Sequence, residues 1–121
     1  MACPFTHVGL RRLVDRRRAV GSPTMFHIRA WPLELVNEAP LDPAVVAEEV
    51  EQLRAQVAPD LFRGFEPSHV PTTSLPAFAL AHAAYRHGPQ LGEQVSLALR
   101  VARAEPAAVR RRTPPSGCRR R

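Results

Sequence analysis

Lysine is missing from this sequence altogether, and cysteine occurs only twice, at Cys3 and Cys118. Two cysteines so far apart do not read as a structural disulfide, and a reducing compartment would disfavour one. Aromatic residues are scarce: one tryptophan, one tyrosine and five phenylalanines in 121 residues. No apolar run approaches the roughly 18 residues of a membrane span, and no secretory signal with an apolar h-region stands at the start. The expectation is therefore a cytoplasmic protein with no membrane partner. Also absent are a Ser-His-Asp order, a glycine-rich phosphate loop and a zinc-type cysteine pair. His27, His69, His82 and His87 are scattered without metal-ligand spacing, and His82 and His87 are five apart rather than the four of a helical metal pair.

What is present begins at Cys3-Pro4-Phe5-Thr6. Phe5, Val8, Leu10, Leu13 and Val14 recur closer to a 3.6-residue period than to alternation, which predicts an amphipathic helix. Pro4 suits its first turn, Arg16, Arg17 and Arg18 suit its last, and Gly21-Ser22-Pro23 stops it. Cys3 thus stands at a helix N-terminus, where unpaired N–H groups and the positive end of the dipole favour a thiolate. Beside that reading stands the plainer one, a small buried hydrophobe. Thr6 either hydrogen-bonds the thiolate or is simply a first-turn residue. His7 either polarises the sulfur or faces solvent, and the second is the expectation.

Thr24 to Trp31, bounded by Pro23 and Pro32, is rich in aromatic and branched residues and reads as a strand with Trp31 as a core anchor. A helix feeding a strand is the second half of a βαβ unit. Asn37 and Glu38 read as a turn. Beyond them the pattern is helical. Asp42 as N-cap with Pro43 behind it opens a helix carrying Val45, Val46, Val50, Leu53 and Val57 on its apolar face, and Glu48, Glu49, Glu51 and Arg54 on its wet one. Asp60 to Phe65 reads as a short helical turn with Phe62 and Phe65 packing. Another helix runs from Thr72-Thr73-Ser74 through Phe78, Leu80, Ala81, Ala84 and Tyr85 to His87-Gly88. A last one spans about Pro89 to Ala104 and carries Leu91, Val95, Leu97, Leu99 and Val101.

The end of the chain differs in kind. Residues 110 to 121 hold six arginines and no acid, while the other eleven arginines match all eleven carboxylates, so the whole formal charge of +6 lies there. With its prolines and almost no apolar residue, the stretch from 106 to 121 is expected to be disordered. It carries no aromatic residue for stacking, so weak nonspecific phosphate binding is the most it supports and no specific nucleic-acid partner is expected. Arginine, alanine and proline richness without lysine suggests a GC-rich coding sequence, in which such a tail arises when reading shifts frame.

The runs Cys3-Pro4-Phe5-Thr6-His7-Val8-Gly9-Leu10 and Arg29-Ala30-Trp31-Pro32-Leu33-Glu34-Leu35-Val36-Asn37 together resemble the DsbA family of thioredoxin-fold oxidoreductases. The likeness is to the branch near FrnE-like proteins, with kappa-class glutathione transferases and 2-hydroxychromene-2-carboxylate isomerases as cousins. It covers about residues 3 to 100. It implies an α/β chain with an incomplete thioredoxin-like fold, mostly helical, divided into a partial βα segment over 1–38, a helical insertion over 39–105 and the tail over 106–121. The chain would then be an incomplete member, without its first strand or its last strands and helix.

The resemblance places the catalytic position at Cys3, supported by Pro4 and Thr6, and implies a disulfide or small-thiol substrate. No bound cofactor is implied, only a low-molecular-weight thiol as co-substrate. Two departures matter. The family usually has a second, resolving cysteine where this chain has Thr6, and Pro71 and Pro76 do not fit the family's substrate-binding proline loop. Thiol–disulfide exchange through one cysteine is the leading expectation. A small-thiol-dependent isomerase or transferase of the kappa-class type, and a non-catalytic helical fragment, stand beside it.

Overall fold

Asp42 and Pro43 show how directly the sequence sets the helix ends. The Asp42 carboxylate accepts the Ala44 N–H at 2.8 Å, and Pro43 occupies the first helical position, where no N–H is needed. The computed structural model describes residues 3–29 and 31–106. Among them the order is α1 (Pro4–Ala19), α2 (Leu33–Val36), α3 (Pro43–Gln56), a 3₁₀ turn (Pro67–His69), α4 (Leu75–Arg86) and α5 (Pro89–Ala104). The chain is mostly helical. The expected disorder of 106–121, and Cys118 with it, lies outside the described residues apart from Pro106.

The core is small. Val50 and Leu53 of α3, Ala58, Leu61 and Phe62 of the following loop, and Ala104 of α5 are buried together, with Val8 and Phe65 packed against them. α1 therefore shares its core with α3 and α5. Arg12 clamps the same contact from outside, donating to both Asp60 carboxylate oxygens at 2.9 and 2.6 Å. That guanidinium holds the Asp60 carboxyl at about 2, against the smaller upward push of burial. Residues 60–65 turn without forming a helix, and Phe62 sits at φ 60° so that its ring enters the core.

α4 and α5 form a hairpin through His87 and Gly88. Gly88 has φ 129°, a conformation an L side chain strains to adopt, and it caps α5. Gly92 lets the two helices close, because a Cβ there would overlap the Tyr85 ring.

The expected strand is not found. Among the described residues no strand is present, and 22–29 form no regular element and have no ladder partner. Side chains take the place of a neighbouring strand. The Phe26 N–H donates to Glu93 Oε2 at 2.6 Å, and the Ile28 N–H donates to Tyr85 Oη at 2.8 Å. The Tyr85 hydroxyl in turn donates to the Phe26 carbonyl at 3.1 Å. These bonds satisfy backbone groups of a partly buried segment that has no neighbouring strand.

Several faces also differ from expectation. Trp31 is no core anchor: it is 71% exposed. Phe5 and Leu13 of α1 point outward, and the buried positions are Pro4, His7 and Val14, with Val8 and Arg11 partly covered. Val45 on α3 and Val57 at its C-cap are exposed while Glu49 is partly covered, and burial holds the Glu49 carboxyl above its ordinary value. On α5 the buried residues are Gly92, Glu93, Ser96, Arg100 and Ala104, whereas Leu91 is exposed.

Candidate functional site

Cys3 is the N-cap of α1, in extended backbone conformation at φ −103° and ψ 110°, and its thiol is free and half-buried. Pro4 is buried at the first helical position, so its ring fixes the approach of the chain to the helix. Thr6 is exposed. Cys3 and Pro4 thus stand together at the helix mouth, and Thr6 lies one turn on, facing solvent.

His7 does not face solvent. It is 1% exposed, and its Nε2 lies 2.8 Å from Glu105 Oε1 at the end of α5. Its ring also tilts against Phe62, with centroids 5.3 Å apart. Burial lowers its pKa, and the cations Arg11 and Arg100 add to that, against the opposing pull of Glu105. The imidazole therefore anchors the first turn of the Cys3 helix to α5.

Arg100 comes from the other side. It is buried on α5, and burial lowers its pKa, while the neighbouring Cys3 and Tyr85 act in the opposite sense. The fold so brings Cys3 within the electrostatic reach of a buried guanidinium 97 positions away in sequence.

A cleft of about 270 Å³ opens between α4, α5 and residues 27–29. Its polar lining comprises His27, Arg29, His82, Tyr85, Ser96 and Arg100, and among the described residues no aspartate or glutamate lines it. His27 stacks on Tyr85 at 4.3 Å with ring planes 13° apart, which orients the wall formed by residues 27–29. Behind that wall Arg17 bonds Glu93 at 2.5 Å and the Thr24 carbonyl at 2.9 Å, and lies over the Phe26 ring at 4.7 Å. The Arg17 contact is the main reason the Glu93 carboxyl is held low.

His27 and His82, scattered in sequence, share one cleft. No group of three or more His, Cys, Asp or Glu side chains gathers for a metal among the described residues, and none of their helices is long and apolar enough to cross a membrane. Ser96, Arg100, Glu93 and Glu105 were not singled out by sequence reasoning. A signal was there: Glu93, Ser96, Arg100 and Ala104 recur at helical spacing, so the polar residues share a face with small ones. Comparisons with family models, curated proteins and solved structures return no match for this chain.

Proposed function

We propose that the chain is a DsbA-like thiol–disulfide oxidoreductase acting through the single thiol of Cys3. The observation that carries this reading is Cys3 at the N-cap of a sixteen-residue helix, free and half-buried, with Pro4 behind it. An incomplete thioredoxin-like fold belongs to the same proposal, with 1–38 as its partial thioredoxin-like segment, in which residues 22–29 have no strand partner, and 39–105 as the helical insertion. Cys3 thiolate would attack one sulfur of a substrate disulfide, forming a mixed disulfide and releasing the other sulfur as thiolate. With Thr6 at the resolving position, a low-molecular-weight thiolate attacks the mixed disulfide, leaves with the substrate sulfur as a new disulfide and restores the Cys3 thiolate. A reducing cytoplasm supplies that thiol.

The test uses the Cys118→Ser chain, with circular dichroism to confirm its helices. A chromogenic aryl disulfide is expected to react faster with folded Cys3 than with the same chain in urea. A small mixed disulfide should turn over when a low-molecular-weight thiol is present, and Cys3→Ser should abolish turnover. Equal rates in the folded and unfolded chain, with no turnover, would overturn the reading. That result would favour a second one, a non-catalytic helical module, which the exposure of Trp31, Leu35 and Val36 supports.

A further inference from the structure

A charged side chain taken out of water without a partner is destabilising, and folds retain one mainly where it has work to do. Arg100 is 8% exposed and lines the cleft; among the described residues it is in no hydrogen bond or ion pair, and its guanidinium nitrogens are not among the atoms wholly closed off from solvent. Ser96, four residues earlier, is 5% exposed, and its buried Oγ has no hydrogen-bond partner. Both line the cleft between α4 and α5. Side chains four apart on a helix have Cβ atoms about 5–6 Å apart on one face, so one ligand group can meet both.

The rest of the cleft narrows the class of ligand. Arg29, His27 and His82 also line it, and among the described residues no carboxylate does. Burial pulls the Arg100 pKa down, and no carboxylate acts to restore it. Guanidinium is planar and pairs best with a planar, two-oxygen acceptor. Beside these polar groups the lining includes a set of apolar side chains, Ile28, Ala77, Phe78, Ala81 and Leu99. A single buried cation with apolar side chains in the same lining matches a monoanion with an apolar tail better than a multiply charged phosphate.

We propose that this cleft binds a small aliphatic monocarboxylate, its carboxylate paired with Arg100 and hydrogen-bonded by the Ser96 hydroxyl, its chain lying on Phe78 and Leu99. The site stands whether or not Cys3 exchanges disulfides. It also gives the buried Ser96 and Arg100 of α5 a partner.

Hexanoate is the probe, titrated into the full chain by calorimetry and followed by the NMR signals of Tyr85, His27 and His82. Binding is expected to saturate at one per chain, with a Kd at or below about the millimolar range. Affinity should rise along acetate, butyrate and hexanoate, by up to about fourfold for each methylene that is fully buried. Arg100→Gln should weaken hexanoate about tenfold or more, the loss expected for a hydrogen bond to a charged group, and Ser96→Ala by less. Arg54→Gln, on the far wet face of α3, should leave it unchanged. The proposal is overturned if hexanol binds as well as hexanoate, if inorganic phosphate displaces hexanoate, or if Arg100→Gln binds it unchanged. It is equally overturned if the intact chain shows no saturable shift at those three residues, which would make the cleft a water-filled one. The acid series and those shifts are read on the unsubstituted chain, so they decide the matter even if Arg100→Gln fails to fold.

Discussion

His7 Nε2 and Glu105 Oε1 meet at 2.8 Å, joining the first turn of α1 to the end of α5 across 98 positions of sequence. Both side chains are buried, and Arg11 Nε lies 4.0 Å from the same carboxylate oxygen without a hydrogen bond of its own. The pair fixes where the Cys3 end of α1 sits. Removing one partner leaves a buried group uncompensated, so His7→Ala is expected to cost about 3 kcal/mol or more. The urea midpoint at neutral pH measures it.

The same pair makes stability depend on pH. Folded His7 holds its proton less tightly than the ordinary value of 6.5, chiefly through burial. The unfolded chain therefore binds the extra proton first as pH falls. The His7 contribution is complete above about pH 6.5 and is lost as pH drops through the lower folded value, at no more than about 1.4 kcal/mol per pH unit. His7→Gln, which keeps a donor for Glu105 but does not titrate, should flatten this part of the profile between pH 7.5 and 5.5. Urea titrations across that range check it.

Glu34 should give the acid limb. It reaches from α2 to the start of α4, accepting the Ser74 N–H at 2.5 Å, the Ser74 hydroxyl at 2.8 Å and the Thr73 hydroxyl at 3.1 Å. Burial alone would raise its pKa, but these donors together hold it at about 2. The unfolded carboxyl takes its proton near 4.5, before the folded one does. Its stabilisation is thus present above about pH 4.5 and lost as pH falls through about 2. Glu34→Gln is expected to cost about 1 kcal/mol at pH 7 and to make the melting temperature less sensitive to acid between those values.

The sequence was legible in its boundaries and misleading in its faces. Cys3-Pro4, Asp42-Pro43 and Gly88-Pro89 mark helix starts through local chemistry, and the helices begin there. Periodicity failed where the buried stripe is not made of leucine and valine. On α5 the inward residues are Gly92, Glu93, Ser96, Arg100 and Ala104, and on α1 His7 is buried while Phe5 and Leu13 are not. Their burial depends on partners 67 to 98 positions away, such as Phe26 for Glu93 and Glu105 for His7, which no local pattern contains. The neighbourhood of Cys3 and Arg100 was hidden for the same reason. Trp31 and Ile28 read as strand because their composition suits one, but a strand exists only when another lies beside it.

Gly92→Ala separates packing from propensity. Alanine is the better helix former by about 1 kcal/mol in a helix interior. Here its Cβ would overlap the Tyr85 ring near the base of the side chain, where the ring cannot swing clear without moving its hydroxyl. The expected result is net destabilisation, with loss of the Tyr85 bonds to Ile28 and Phe26 and of its stacking on His27. Thermal melting with tyrosine NMR signals reads both effects. A more stable Gly92→Ala chain with unshifted Tyr85 signals would mean that the α4–α5 contact is looser than described.

Glu93→Gln tests how the segment 22–29 is held. Glu93 accepts the Phe26 N–H at 2.6 Å and pairs with Arg17 at 2.5 Å, so one carboxylate ties residues 22–29 to both α5 and α1. Gln keeps one oxygen for Phe26 but cannot balance the Arg17 charge, and its amide NH2 meets a donor. Arg17 would still reach the Thr24 carbonyl and the Phe26 ring, so the segment should loosen without detaching. Amide exchange at Phe26 and Ile28 is expected to accelerate about tenfold or more, matching the loss of a charge-assisted bond, while α3 amides are unaffected. Uniform acceleration across all helices would instead place Glu93 in the global stability of the fold, and the segment would unfold only with everything else.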